Sequence, residues 1–193
     1  MTAGAEPGVV TASRLLAAER HEGQARRAAG TPYAEHVAAV AGILADHRFD
    51  PDVVAAGFLH DVVEHTDTGP EELGDAFGPR VRALVEAMTD REEIEDWTER
   101  KDEHRDRVAA AGRDARAVYG ADKLCGIREA RVGWAEHGPL VEERLGRPLG
   151  LRLAAWAEDL EMLRGTDPPL PFCEEMAQAL GALAEESATA PRS

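Results

Sequence analysis

An adjacent histidine and aspartate follow a run that is otherwise apolar, and this feature most constrains how the chain can fold. The run covers residues 53–59, Val-Val-Ala-Ala-Gly-Phe-Leu, and His60 and Asp61 come directly after it. A helix that is apolar on all sides is normally buried, and burying an imidazole and a carboxylate is costly unless something compensates them. A divalent metal can compensate both, because it takes neutral imidazole and carboxylate as ligands. The residues alone leave a second interpretation open, a helix end with a solvated aspartate and a hydrogen-bonded histidine.

A third ionisable side chain belongs to the same turn. Glu64 follows His60 by four residues and Asp61 by three, so it shares their helical face. This stretch therefore offers two candidate metal ligands and one candidate general acid or base.

The composition predicts an all-α protein. Its 193 residues suit one domain with a full core. Aromatic residues make up only 5%, alanine and leucine are abundant, and β-branched residues are sparse, which favours helices over strands. We predict a loose N-terminal tail over residues 1–10, one helical domain over 11–186, and a C-terminal tail over 187–193.

The charge excludes some classes of partner. A formal net charge of -15 argues against binding nucleic acid or an anionic membrane, which need a positive field. An anionic substrate would need a metal or a local cluster of Lys and Arg. Two isolated cysteines, Cys125 and Cys173, suggest neither a disulfide framework nor a structural zinc site. No signal peptide or apolar run of membrane length is present, so we expect a cytoplasmic protein.

Capping residues, Gly and Pro breaks and apolar periodicity predict where the helices lie. The expected helices run from Thr11 to just before Gly30, from Thr31-Pro32 through Leu44, from Asp50-Pro51 to the His60-Asp61 turn, from a capping box at Thr68–Glu71 through Phe77, over 81–88, over 92–110, over 115–132 with Asp114 as N-cap, over 149–163 and over 172–183.

Two other helices carry a polar residue on or beside an apolar face. His36 lies beside the stripe of the second helix, and Asp122 lies in the face formed by Val118 and Cys125. A lone histidine in such a place is more often a satisfied core residue, whereas a core carboxylate needs a partner. Together with His60 and Asp61 they make a set of two imidazoles and two carboxylates, which suits manganese, iron, magnesium or zinc.

The order of these residues resembles a known family. His36, the His60-Asp61 pair and Asp122 match the H…HD…D pattern of the HD-domain metal-dependent phosphohydrolases. Segments 21–36, 56–67, 77–78 and 121–124 are similar to RelA/SpoT-type hydrolases of the alarmone (p)ppGpp, including their small single-domain forms. The resemblance covers residues 14–130. It implies an all-helical HD-domain bundle that removes the 3′-pyrophosphate of (p)ppGpp.

The resemblance also implies roles for individual side chains. It implies a Mn²⁺ ion held by His36, His60, Asp61 and Asp122. It places Glu64 near the attacking water, and we predict Glu64 and the adjacent His65 as the catalytic residues. Four basic residues are predicted to contact the nucleotide, Arg26 at the guanine base and Lys101, Lys123 and Arg128 at phosphates.

Two positions depart from the family pattern. His65 stands where the family usually has an acidic residue, and Cys125-Gly126 stand where it usually continues His-Asn. These departures keep two alternatives open. One is a phosphohydrolase of another nucleotide or phosphate ester. The other is a non-catalytic helical module that binds a nucleotide or a protein and keeps the metal for structure, against which the retained Glu64 argues.

Overall fold

The structure, a computed structural model, describes residues 8–189. Within this range the secondary structure is helical, apart from one isolated bridge between Ala25 and Pro32. The helices are α1 (Val9–Arg20), α2 (Tyr33–Asp46), α3 (Pro51–Leu59), α4 (Val62–His65), α5 (Pro70–Phe77), α6 (Pro79–Met88), α7 (Trp97–Ala111), α8 (Arg113–His137), α9 (Val141–Leu145), α10 (Leu149–Arg164) and α11 (Cys173–Thr189), with a 3-10 turn over Gly138–Leu140. The predicted all-α fold is confirmed.

Several predicted boundaries agree with the structure. The carboxylate of Asp50 accepts a hydrogen bond from the Asp52 backbone N–H at 3.0 Å, and α3 begins at Pro51 as expected. Helix α5 ends at Phe77 and α6 begins at Pro79, where Gly78 and Pro79 break the pattern. Helix α2 begins at Tyr33, immediately after the predicted start.

The first predicted helix is too long. Helix α1 ends at Arg20, and the chain then turns through Gly23, whose φ of 75° is readily adopted only by glycine. The Arg26 N–H donates to the Thr31 carbonyl at 2.8 Å, so residues 24–33 form a looped segment instead of continuing the helix. This loop points Arg26 back toward α2.

Three other predicted helix starts differ from the structure. Helix α7 begins at Trp97 and not at Glu92, since Asp96 accepts from the Glu99 N–H at 2.9 Å. The Thr68 hydroxyl accepts a hydrogen bond from the Thr66 hydroxyl and makes no capping bond to α5. Gly112, and not Asp114, precedes α8.

The helical region extends past both predicted tail boundaries. Helix α1 begins at Val9 and α11 ends at Thr189. The rest of the predicted tails, residues 1–7 and 190–193, lies outside the described residues. The assignment to a single domain stays a prediction.

Helix α8 is the central element, because α2, α3, α6, α7, α10 and α11 all pack against it. Two glycines allow close packing. A Cβ on Gly57 would lie 2.7 Å from Leu44, so α3 can approach α2 only without a side chain there. A Cβ on Gly120 would lie 2.7 Å from the Phe172 ring, so α8 can pack against that ring only without a side chain there. This packing brings α2, α3 and α8 together along their polar positions.

In the part of the chain that the structure describes, no helix is both long enough and apolar enough to cross a membrane.

Candidate active site

Three side chains from three helices converge where α2, α3 and α8 meet. One ligand atom from each of His36, His60 and Asp122 lies within 4.8 Å of the other two. The Nε2 atoms of the two histidines lie 3.3 and 3.6 Å from Asp122 Oδ1. Both imidazoles are buried, and neither Nε2 atom makes a hydrogen bond of good geometry to any described residue. Two buried, unsatisfied ring nitrogens beside a carboxylate require an explanation.

The opposite ring nitrogens are already engaged. His36 Nδ1 lies 2.7 Å from Glu129 Oε1, and His60 Nδ1 lies 2.9 Å from the Gly57 carbonyl oxygen. When each Nδ1–H donates to these acceptors, each Nε2 presents a lone pair to the centre of the cluster. Nitrogen and oxygen ligands lie about 2.0–2.2 Å from a zinc ion, so two ligands of one ion stand about 3–4 Å apart. The residues present therefore fit a divalent cation.

Asp61 lies at the edge of this cluster. Its Oδ2 atom lies 3.2 Å from His60 Nε2 and 3.9 Å from His36 Nε2, and it accepts a hydrogen bond from the Tyr33 hydroxyl at 2.6 Å. The structure thus brings all four predicted ligands together, with His36, His60 and Asp122 as the tightest group. Their coordination of a metal stays a prediction.

The charges in the cluster stabilise one another. Burial alone would lower the pKa of His60, but the carboxylates of Asp61 and Asp122 raise it to about 10. Without a cation the Nε2 atom of His60 therefore carries a proton, and a bound metal would take the place of that proton. Burial likewise opposes ionisation of Asp122, yet Lys123 and the two imidazoles hold its pKa well below the usual range. Lys123 Nζ donates to Asp122 Oδ2 at 2.8 Å. The site therefore favours ionised carboxylates, the form in which they bind metals.

The two predicted catalytic residues lie beside this cluster. Glu64 Oε2 accepts from the Asp90 backbone N–H at 3.2 Å, and His65 Nε2 lies 3.8 Å from Glu64 Oε1. Burial raises the pKa of Glu64, and the carboxylates of Asp61 and Asp90 raise it further. A carboxyl group with a raised pKa is suited to exchanging protons near neutral pH.

Two adjoining cavities give access to these residues. A small cavity of about 150 Å³ is lined by His60, Asp61 and Asp122, together with Lys101 and Lys123. A larger open cleft of about 750 Å³ shares a wall with it. The side chains common to both cavities are Arg26, Glu64 and His65.

The predicted substrate contacts do not all lie in these cavities. Arg26 lies in both, Lys101 pairs with Asp90 in the smaller one, and Lys123 lies in the smaller one beside Asp122. Arg128 lines neither cavity. It is exposed and ion-paired with Glu175.

Sequence reasoning missed Glu129, which joins the cluster to Arg26. Besides its contact with His36, Glu129 accepts from Arg26 Nε at 2.9 Å. The Arg26 guanidinium also donates to the Tyr33 hydroxyl at 3.1 Å. One signal was available, since Glu129 follows Asp122 by seven residues and so lies on the same face of α8.

A second missed pair lies on the far side of Glu64. His104 Nδ1 lies 2.7 Å from Asp90 Oδ1, and His104 Nε2 lies 3.1 Å from the Ala87 carbonyl oxygen. Asp90 thus connects His104 and Lys101 to Glu64. No sequence pattern indicates this pairing, because the two residues come from a loop and a charge-rich helix.

Comparison with known proteins agrees with this geometry. A family model described as "HD domain" matches residues 13–142. The chain belongs to the HD-domain family. The guanosine-3′,5′-bis(diphosphate) 3′-pyrophosphohydrolase MESH1 of mouse is 36% identical over 141 residues, covering 69% of this chain and 78% of that protein. A probable guanosine-3′,5′-bis(diphosphate) 3′-pyrophosphohydrolase of Synechocystis is also 36% identical, over 145 residues, and there the match covers only 19% of the longer protein.

Two solved structures show a similar arrangement of helices. A metazoan ortholog of SpoT, described as hydrolysing ppGpp, superimposes with a TM-score of 0.72 at 28% identity, covering 93% of this chain and 96% of its own. The Listeria monocytogenes protein lmo0812 superimposes with a TM-score of 0.70 at 28% identity, over 78% of this chain and 99% of that one. The likeness to the first of these extends past residue 142, where the family match ends.

Proposed function

We propose that this HD-domain protein is a metal-dependent phosphohydrolase that removes the 3′-pyrophosphate of (p)ppGpp, with Mn²⁺ as its metal. One observation carries the proposal. Ligand atoms of His36, His60 and Asp122 lie within 4.8 Å of one another, and His60 and Asp122 line a cavity that adjoins a nucleotide-sized cleft. The names of the relatives supply the choice of substrate.

Each part of the site has a role in such a reaction. When bound, a divalent cation supplies Lewis acidity at the phosphoryl group. Glu64 accepts the proton of the attacking water as the water oxygen bonds to phosphorus and the bond between phosphorus and the 3′ oxygen breaks. Glu64 can then return that proton to the 3′ oxygen, which leaves a 3′-hydroxyl and pyrophosphate. Lys123 and Lys101 offset negative charge on the phosphates from the walls of the smaller cavity.

The base end of the nucleotide is assigned to Arg26. Its guanidinium lies 5.1 Å from the centre of the Tyr33 ring and is held between Glu129 and the Tyr33 hydroxyl. A planar guanidinium held in this way can stack on a purine. Glu129 therefore connects base recognition with the orientation of His36.

One observation favours a second candidate, hydrolysis of another nucleotide or phosphate ester. Gly126 lines the cleft, and a Cβ built on it meets nothing within 4 Å. A polar side chain at that position would have room to contact a substrate, so its replacement by glycine removes one source of selectivity.

The decisive test is a substrate panel with Mn²⁺-loaded protein, with Glu64→Gln as the inactive control. We expect faster release of pyrophosphate from ppGpp than cleavage of GDP, GTP or nucleoside monophosphates. The reverse ranking would support the second candidate. No turnover of any phosphate ester would leave a non-catalytic nucleotide-binding module.

A further inference from the structure

Lys123, the lysine that pairs with Asp122, also contacts an aromatic ring. Its Nζ atom lies 4.3 Å from the centre of the Tyr119 ring and donates to Asp122 Oδ2 at 2.8 Å. Lys123 follows Tyr119 by four residues in α8, so the two side chains lie on the same helical face. Both residues line the small cavity that His60 and Asp122 also line. The ring thus forms part of the wall of the metal site.

The charged end of Lys123 is largely removed from water. Its side chain is 16% exposed. Burial opposes the charge, but the carboxylate of Asp122 holds the pKa of Lys123 well above its usual range, so the group stays an ammonium. A desolvated ammonium is attracted to the face of an aromatic ring more strongly than an exposed one. Because a lysine side chain is long and flexible, holding it in one position costs entropy, and the ring contact offsets that cost.

The hydroxyl of Tyr119 anchors the ring to another part of the chain. Tyr119 is buried, its hydroxyl donates to Asp159 Oδ1 at 2.9 Å, and Arg105 Nε donates to the same oxygen at 3.0 Å. Asp159 is buried in α10, a helix that begins after residue 142, where the HD-domain match ends. Two donors satisfy this buried carboxylate and fix the direction of the phenol. The contact between Lys123 and the ring therefore depends on groups from α7 and α10.

A second ring fixes the tilt of the phenol. The His104 imidazole lies 5.1 Å from the Tyr119 ring at an interplanar angle of 78°, which is an edge-to-face contact. The contacts of Tyr119 also pack α8 against α7 and α10. A purely structural role is therefore the alternative that an experiment must exclude.

We propose that Tyr119 is a positioning residue, whose ring holds the ammonium of Lys123 beside Asp122 and at the cavity wall that receives phosphate. Asp159 holds the ring in turn through the phenol hydroxyl. The role in phosphate binding rests on the proposed function, whereas the contact between ring and ammonium does not. Tyr119 acts through Lys123, so removing the ring should change substrate binding only while the lysine is present.

The contact can be measured directly, because Lys101 and Lys123 are the only lysines of the chain. Protein labelled with carbon-13 lysine gives NMR signals for the Cε–Hε groups of these two residues, and Lys101→Arg assigns them. A ring current shifts protons above the ring face upfield, and the shift averages out if the side chain moves freely. We expect an upfield shift for Lys123 that persists in Tyr119→Phe and disappears in Tyr119→Leu. A Lys123 signal at the position of free lysine in the wild type would overturn the proposal.

The consequence for binding is measured as the affinity for ppGpp of Mn²⁺-loaded Glu64→Gln protein, in which no turnover occurs. In that background Tyr119→Leu should weaken binding by about 3–30-fold, as the loss of a cation–π contact predicts, and Tyr119→Phe should recover most of the loss. After Lys123→Gln, Tyr119→Leu should change the affinity by less than about twofold, because the lysine through which the ring acts is gone. An equal loss in both backgrounds would mean that Tyr119 only supports the fold.

Phe172→Leu is the matched control for the loss of a buried ring. Phe172 is buried, packs against α8 at Gly120 and lines neither cavity. This variant should lower the melting temperature and leave both the Lys123 signal and the affinity for ppGpp unchanged. If Tyr119→Leu does not fold, Tyr119→Met takes its place, since the flexible thioether fills irregular space without a ring.

The outcomes separate the two proposals. If ppGpp is neither bound nor hydrolysed and the Lys123 shift still depends on the Tyr119 ring, the proposed function fails and the contact stands. If ppGpp is hydrolysed but the wild-type Lys123 signal shows no ring shift, or Tyr119→Leu is additive with Lys123→Gln, the positioning role alone fails.

Discussion

The active-site cleft has a metal end, at His36, His60 and Asp122, and an arginine end, at Arg147 and Arg152. Among the described residues, each end contains polar atoms without a hydrogen-bond partner, and these atoms differ in kind. At the metal end the charges are compensated within the protein, Asp122 by Lys123 and Glu129 by Arg26, and what is unsatisfied is a pair of imidazole Nε2 atoms. At the arginine end the unsatisfied group is a guanidinium N–H beside other cations. Two ring nitrogens beside one carboxylate can bind a metal cation in place of a proton, whereas crowded N–H donors favour an anion. The charge of the ligand that each end can bind thus follows from local contacts. The net charge of -15 by itself would have predicted only the binding of a cation.

The two ends also come from different parts of the chain. The metal end is built from α2, α3 and α8, whose close packing is fixed by residues such as Gly57. The arginine end is built from Trp97 at the start of α7, within the HD-domain match, and from Arg147 and Arg152 at the start of α10, beyond that match. If the two ends act separately, a substitution at one end should leave binding at the other unchanged.

The largest effect is expected for His60→Ala. It removes one ligand nitrogen from the buried cluster, so metal affinity should fall by more than the about 10–100-fold typical for loss of a group that only supports a ligand. Metal per chain, measured by elemental analysis after dialysis, should fall from near one to near zero, and turnover should be lost. GDP binding in EDTA should not change, because the arginine end is intact.

His137→Ala is the matched control, since His137 ends α8 outside both cavities. Full metal occupancy in His60→Ala would refute the metal assignment.

Glu64→Gln should separate chemistry from binding. The amide cannot accept the proton of the attacking water, so kcat should fall by about 10²–10⁴-fold. Metal content and the KM for ppGpp should stay near the wild-type values. Glu92→Gln, in the wall of the same cleft, serves as a control for lost charge. If Glu64→Gln turns over as fast as Glu92→Gln, Glu64 is not the proton acceptor.

A smaller effect at both sides of the site is expected for Glu129→Gln. The variant weakens the contacts to His36 Nδ1 and Arg26 Nε, which are 2.7 and 2.9 Å in the native protein. Metal affinity should fall by about 10–100-fold, and KM should rise at saturating metal because Arg26 is less well held. A rise in KM without loss of metal affinity would limit the role of Glu129 to Arg26.

The site residues that could be predicted from the sequence are those whose neighbours along the helix are apolar. His60 and Asp122 were identifiable because a polar group in an apolar stripe demands a partner. Glu129 lies in a helix that also carries many surface charges, so its carboxylate looked like one of them. Arg147 and Arg152 could not be singled out from the sequence either, because no sequence pattern shows which arginine lacks a neighbouring carboxylate.

The helix boundaries could likewise be predicted in part. Apolar periodicity and the Asp50-Pro51 signal identified α3 correctly. The predicted start of α7 was wrong because the mostly acidic residues 92–96 resemble a helical segment, whereas the Asp96 cap excludes them and makes Trp97 the first residue of the helix.

The smallest effect is expected for Arg128→Gln. The resemblance to RelA/SpoT-type hydrolases suggested a phosphate contact here, but the side chain is exposed, pairs with Glu175 of α11 and lines neither cavity. An exposed ion pair is worth about 0–1 kcal/mol, so the melting temperature should change little and the KM for ppGpp by less than about twofold. Lys123→Gln is the informative companion, because Lys123 lies inside the metal cavity and its loss should change both KM and metal affinity. A KM increase for Arg128→Gln as large as that for Lys123→Gln would mean that the substrate reaches α11, and the boundary of the cleft drawn from the free protein would then be wrong.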